Sequence, residues 1–387
     1  MTREIKVQGT TAAGYEAVRD EFASVLAAEK PDHAAQLSAY VRGKQVVDLW
    51  VGPDTGGETL FGVFSSTKGA AHLVVALLVQ DGVLELDREV AHYWPEFAAE
   101  GKGGVTLREL LAHRVGVVGA DGGFTPEEIA DDRAIAERLA TQRPFWRPGT
   151  AFGYHALSIG ALSGEVVFRA TGQTLQEVYE ERVRAPHGLD FHLGLPEALE
   201  PRFRSVLPMA PSPTEQAFLD ALPPQPGSLP SIAFNRNGAH PTDLEAFPNS
   251  RRVRAKGNAS AGGVASARGL AGMYAAAVTG IDGREPLLKA DTVAAFGQIH
   301  STGHDLVVRA HRSFGLGFQS TAEFKYPFLG AGTIGHSGAG GSQAFADPCS
   351  GLTYGYTRRR FAFPGGPAAE NERLVQAIHT STVATAG

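Results

Sequence analysis

Ser65-Ser66-Thr67-Lys68, followed by Gly69-Ala70-Ala71-His72-Leu73-Val74-Val75-Ala76-Leu77-Leu78-Val79 and then Gln80-Asp81-Gly82, decides how the rest of the chain is understood. Apolar residues are dense from Thr67 to Val79 and stop at a glycine, so the spacing predicts a buried helix with a glycine end. Lys68 falls in its first turn. Residues three apart on a helix are neighbours, so a Lys68 amine reaches a Ser65 hydroxyl at the helix mouth, where the positive end of the helix favours a developing anion. A serine so placed is a candidate nucleophile, activated either by a desolvated lysine acting as base or by a tyrosine that the lysine holds as phenolate. Four residues alone fit a capping serine beside a surface lysine equally well, so companions elsewhere have to decide.

Upstream, Tyr15 to Lys30 carries Val18, Phe22, Val25 and Leu26 at helical spacing, and β-rich runs at Leu37 to Val41 and Val46 to Val51 flank Arg42-Gly43-Lys44 as a hairpin. Downstream, signals between about residues 84 and 200 are mostly helical, including Thr106 to His113, Ala156 to Thr171 and Thr174 to Val183. Leu207 to Val264 is rich in Pro, Gly, Ser and Asn with weak periodicity, and reads as a structureless cover over a cleft. Helical spacing returns from Ala267 to Val278, then β-rich runs near Phe314 to Phe318, Gln343 to Phe345 and Leu352 to Tyr356, and a last helix from Ala368 to Ile378. The expected fold class is therefore α+β: an antiparallel sheet flanked by helices, with an inserted helical lobe. Residues 1–66 plus 265–387 would form the sheet lobe and residues 67–264 the mainly helical one, with the irregular cover at about 207–264.

Composition narrows the function classes. The chain has 387 residues, 43% apolar and 20% charged, which suits a globular enzyme. A net charge of -6 gives no basic stripe, so neither nucleic acid nor an anionic membrane is an expected partner. Cys349 is the sole cysteine, which excludes an internal disulfide and a cysteine metal site, and it is expected to be a small buried hydrophobe. No apolar run of about 18 residues suggests a membrane span, and the first residues lack the apolar stretch of a signal peptide, so a cytoplasmic location is expected. Trp50, Trp94 and Trp146 are expected to fill cores or line a pocket wall. The oligomeric state stays open.

Two further motifs accompany the first. Pro148-Gly149-Thr150-Ala151-Phe152-Gly153-Tyr154-His155-Ala156 sets a tyrosine after a Pro-Gly turn, and Gly335-His336-Ser337-Gly338-Ala339-Gly340-Gly341 precedes a β-rich segment. With Leu107 to His113 and Ala261 to Arg268 between them, the chain resembles class C β-lactamases, the related penicillin-binding proteins and the family VIII carboxylesterases from its first hairpin to its last helix. That resemblance implies Ser65 as nucleophile, Lys68 as its helical partner, Tyr154 as general base, and an oxyanion hole from the backbone N–H groups of Ser65 and Ala339. His336, Ser337, Gly338 and His155 would contact substrate. Two departures matter: Ala156 stands where the lactamase pattern has asparagine, and His336-Ser337-Gly338 stands for K-T-G. Loss of the fixed cation disfavours anionic β-lactams relative to neutral esters unless a protonated His336 replaces it. The implied activity is hydrolysis of small carboxylic esters without metal or other cofactor, with acyl transfer, weak β-lactamase or amidase action, and non-catalytic binding as alternatives.

Three rival patterns are weaker. Gly335 to Ala339 approaches G-x-S-x-G, with Ser337, Asp347 and His379 in hydrolase order, yet a strand rather than a helix follows it. Gly338-Ala339-Gly340 lacks the βαβ unit of a dinucleotide loop. His300, His304 and His311 lie among loop residues with only Asp305 nearby, and a solvated loop explains them better than a metal site.

Overall fold

The structure, a computed structural model, describes residues 5–221, 225–320, 322 and 325–386. In chain order the strands are β1 (Gln8–Thr11), β2 (Ala35–Val41), β3 (Lys44–Val51), β4 (Phe61–Gly62), β5 (Phe191–His192) and β6 (Val264–Ala265). They continue with β7 (Ser301–His304), β8 (His311–Phe314), β9 (Ile334–Ser337), β10 (Gln343–Asp347) and β11 (Leu352–Arg358). Both ends of the chain build one antiparallel sheet in the order β1-β3-β2-β11-β10-β9. The β2–β3 hairpin turns at Arg42 and Gly43, both with positive φ (49° and 76°), the combination that matches a tight turn to the twist of its strands.

All seven residues of β11 are buried, because helices cover both faces of the sheet. Helices Glu16–Leu26 and Glu370–Ala386 close one face, where Val18, Phe22, Leu374 and Ile378 meet Leu37, Leu49 and Tyr354. Helix Ala267–Val278 packs on the other face, against β2, β10 and β11. Helix Thr67–Gln80 is buried on every side from Thr67 to Leu78, which explains why its sequence is apolar without a polar stripe. It lies against helices Ile159–Thr171 and Leu175–Tyr179, in a second and larger hydrophobic core. A small sheet, β4-β6-β5, borders the larger core through Phe191 and Ala265 and feeds the chain into Ser65.

Several expectations need correction. The stretch from Leu207 to Val264 is not structureless: among its described residues it holds helices Pro213–Asp220, Leu229–Ala233 and Arg251–Lys256, too short to show a periodic pattern. The β-rich run at Phe314 to Phe318 is mostly outside a strand, since β8 ends at Phe314 and Gly317 takes a φ of 80°. The last helix begins at Glu370 and continues to Ala386. Cys349 is exposed, in the turn between β10 and β11.

Candidate active site

Ser65 sits half-buried in a 3₁₀ turn, Phe64–Ser66, that runs directly into helix Thr67–Gln80. Phe64 has a φ of +48°, a left-handed conformation that costs energy in a bulky residue and persists only where the surroundings enforce it. Its ring is held edge-to-face by Phe361, centroids 5.4 Å apart. The turn is tied on two further sides. Val63 N–H donates to Gly263 O at 3.0 Å, and Ser342 Oγ donates to Val63 O at 2.8 Å. Ser66 Oγ lies 2.9 Å from Ser342 Oγ and 3.2 Å from His336 O, which binds the nucleophile turn to the end of β9.

Lys68 is wholly buried. Its Nζ lies 3.1 Å from Ser65 Oγ and 2.7 Å from both Ala156 O and Ser260 O. An ammonium would donate along all three directions; a neutral amine would donate to the two carbonyls and aim its lone pair at the serine hydroxyl. Burial pulls the lysine pKa well below its usual range, with the charge of Asp132 opposing the shift. A proton can therefore pass between Ser65 and Lys68 with no change in atom positions. Gly160 makes room for this arrangement, because a Cβ there would lie 2.4 Å from both Ala259 C and Ser260 N. Gly160→Ala is expected to displace Ser260 O and lower kcat/KM by about tenfold or more, with a stability loss of about 1–3 kcal/mol. Steady-state kinetics and a melting curve check both parts; unchanged kinetics would mean that Ser260 does not hold the amine.

Tyr154 is 7% exposed, with its ring stacked on Phe314 (6.0 Å, 7° between planes) and on His336 (5.8 Å, 29°). Its backbone N–H donates to Asp305 Oδ1 at 3.1 Å, which anchors the loop after the Pro-Gly turn. The Lys68 amine stands 4.9 Å from the ring centroid. Burial raises the phenol pKa, and contact with Ser65 only partly offsets this. Burial therefore favours the protonated phenol over the expected phenolate.

The β9 residues divide. His336 is fully buried, and Nδ1 lies 2.8 Å from Ser337 O. Burial first, and the Lys68 charge second, hold its pKa well below the usual histidine range. The ring packs behind Tyr154, and burial disfavours its protonated form as a stand-in for the missing lysine. His155 is likewise buried, with Nδ1 2.8 Å from Gly153 O and its ring against His113 and Trp146, so it faces away from the cleft. Ser337, Gly338 and Ala339 do reach the cleft. Gln319 Oε1 accepts from both the Ser337 N–H (3.1 Å) and the Ser337 hydroxyl (2.9 Å). A Cβ at Gly338 would lie 2.3 Å from Val63 O, so only glycine lets β9 approach the nucleophile turn this closely. Among the described residues, neither the Ser65 nor the Ala339 backbone N–H has a hydrogen-bond partner.

These groups open into a cavity of about 590 Å³. Met209, Leu219, Phe234 and Leu244 contribute apolar walls from the irregular stretch, and Phe314 and Phe361 complete them. Arg236, Asp243, Glu245 and Arg312 bring charge to the lining. The rival triad is not assembled: Asp347 accepts from Cys349 N–H and Ser350 Oγ, while the His379 ring packs on Phe328, against the face of the sheet away from the cleft. Trp94 is a core residue at 2% exposure, whereas Trp50 and Trp146 are half-buried. Asp132 and Gln176, which no sequence motif marks, lie next to the segment that holds Lys68.

Comparison with known proteins finds similarity along nearly the whole chain. The β-lactamase family model matches residues 26–377. The structure of EstA from Arthrobacter nitroguajacolicus Rue61a superposes with a TM-score of 0.90 at 42% identity, covering 99% of this chain and 100% of EstA. A family VIII carboxylesterase superposes with a TM-score of 0.86 at 32% identity, covering 97% of this chain and 100% of that one. The esterase/β-lactamase LipL of Mycobacterium tuberculosis is 28% identical over 93% of this chain and 84% of LipL.

Proposed function

From the fact that the chain belongs to the β-lactamase family of serine hydrolases, we propose that it is a carboxylesterase acting on small esters through a Ser65 acyl-enzyme. The observation that carries this is the Lys68 amine, held between two carbonyls with its third direction on Ser65 Oγ. Lys68, as the neutral amine, takes the hydroxyl proton while Oγ attacks the ester carbonyl. The oxyanion forms between the N–H groups of Ser65 and Ala339. Tyr154, still protonated, gives its proton to the departing alcohol and recovers one from the Lys68 ammonium. Water then attacks the acyl-enzyme by the same path in reverse, releasing the acid and restoring Ser65.

The neutral, buried His336 supports esters over β-lactams, because no cation stands at that position to meet a β-lactam carboxylate. Ala156 removes the amide that would hold an amide side chain. The family VIII carboxylesterase that superposes on this chain points the same way, whereas the name of LipL carries both activities. A p-nitrophenyl ester series from acetate to octanoate is expected to be hydrolysed, with preference set by the apolar walls, and a chromogenic cephalosporin is expected to be cleaved at least about a hundredfold more slowly. A fluorophosphonate probe is expected to label Ser65. Dominant cephalosporin turnover would overturn the ester assignment. No helix among the described residues is long and apolar enough to cross a membrane.

A further inference from the structure

Asp132 opens helix Asp132–Ala140, and its Oδ2 accepts from Ala259 N–H at 2.9 Å and from Gln176 Nε2 at 2.8 Å. Gln176 Nε2 also reaches Gly257 O at 3.0 Å, so carboxylate and amide together clamp residues 257–259. Asn258 completes the clamp: its Oδ1 accepts from Ser260 N–H and Ala261 N–H, 3.0 Å each, while Nδ2 donates to Ile129 O at 3.2 Å. The next carbonyl, Ser260 O, is one of the two that grip Lys68. Asp132 Oδ1, by contrast, is shut off from solvent and has no partner among the described residues. One carboxyl oxygen is spent on geometry and the other is not.

We propose that Asp132 is a positioning residue for the nucleophile's base: it fixes the carbonyl that holds the Lys68 amine, and its charge governs how firmly that amine keeps its proton. The idea rests on Lys68 acting as the base of a serine hydrolase. The groups with charge near Asp132 are Asp131, which pairs with Lys256 at 2.9 Å, and Lys68 itself. Those near Lys68 are Tyr154, His72, His113 and His336, and burial disfavours the charged form of all three histidines. Burial also pushes the Asp132 pKa up to about 6, so its charge appears as the pH rises past that value. An ionised Asp132 raises the proton affinity of Lys68. Removing the charge lowers that affinity, leaves the amine neutral at lower pH, and moves the acid limb of Ser65 reactivity downwards in pH.

The experiment measures the rate of fluorophosphonate labelling of Ser65 between pH 4 and 9, alongside kcat/KM for p-nitrophenyl butyrate. Asp132→Asn keeps an acceptor for Ala259 and Gln176 while removing the charge. It is expected to shift the acid limb down by about half a pH unit or more. Gln176→Ala keeps the carboxylate but releases Gly257; it is expected to lower the plateau by about tenfold and, having lost only one of the groups that favour ionised Asp132, to move the limb less than Asp132→Asn does. An unmoved limb in Asp132→Asn overturns the proposal, as does an equal shift in both variants. Should Asp132→Asn melt below the assay temperature, Asp132→Glu supplies the test: charge kept and acceptor displaced, it must lower the plateau without moving the limb. Labelling needs no ester, so a probe-reactive Ser65 without ester turnover would count against the esterase assignment and leave this proposal standing.

Discussion

Ser65→Ala is expected to abolish ester hydrolysis, with a loss in kcat on the order of 10⁴-fold or more. The change removes the atom that forms the acyl bond, while the backbone N–H of residue 65 and that of Ala339 stay in place and the cavity walls are untouched. Substrate binding should therefore survive, and KM should change far less than kcat. Stability should move little, because the Ser65 hydroxyl is half-buried and its side-chain contacts are with Lys68 and Tyr154. Steady-state rates with p-nitrophenyl butyrate and a melting curve, read together, check this. Full activity in a folded Ser65→Ala protein would sink the assignment and redirect attention to Ser337.

Lys68→Ala should cost about 10³-fold in kcat and, unlike the serine change, should also destabilise the protein. The alanine leaves Ala156 O and Ser260 O facing each other in a buried site without a donor, and each unsatisfied carbonyl costs about 1–3 kcal/mol. The acid limb of the pH profile should vanish with it, since the titrating base is gone. Fluorophosphonate labelling should slow by a similar factor. A normal labelling rate with a normal acid limb would transfer the base role to Tyr154, against the raised pKa that burial gives its phenol.

Much of this arrangement was legible from the residues alone. The serine and lysine three apart, the apolar run behind them and the hairpin at Arg42-Gly43 follow from local rules, and helix Ala267–Val278 spans the range its spacing predicts. What local rules cannot carry is depth. His336 and His155 look alike in sequence to any pocket histidine, and only the packing of β9 behind Tyr154 and of His155 against His113 and Trp146 shows them buried. The balance against a Tyr154 phenolate is hidden for the same reason, because desolvation depends on every neighbour of the ring. Helix Pro213–Asp220 was there to be found: Ser212-Pro213-Thr214-Glu215 is a capping box, with Ser212 Oγ accepting from Glu215 N–H, but eight residues without a buried face show no periodicity. Asp132 and Gln176 could not be found, since the segment they clamp lies more than 80 residues away in the chain.

The carboxamide of Gln319, resting on Ser337, is chemically the twin of a peptide or lactam carbonyl group, so the protein carries its own competitor at the margin of β9. An amide ligand that sought main-chain pairing there would first have to evict a tethered occupant, which never leaves by dilution. A carbonyl that asks only for the two N–H groups at Ser65 and Ala339, ester or lactam, meets no such rival. Selectivity of this kind comes from occupancy: the ligand put at a disadvantage is the one that also needs the Ser337 donors, a seat already taken.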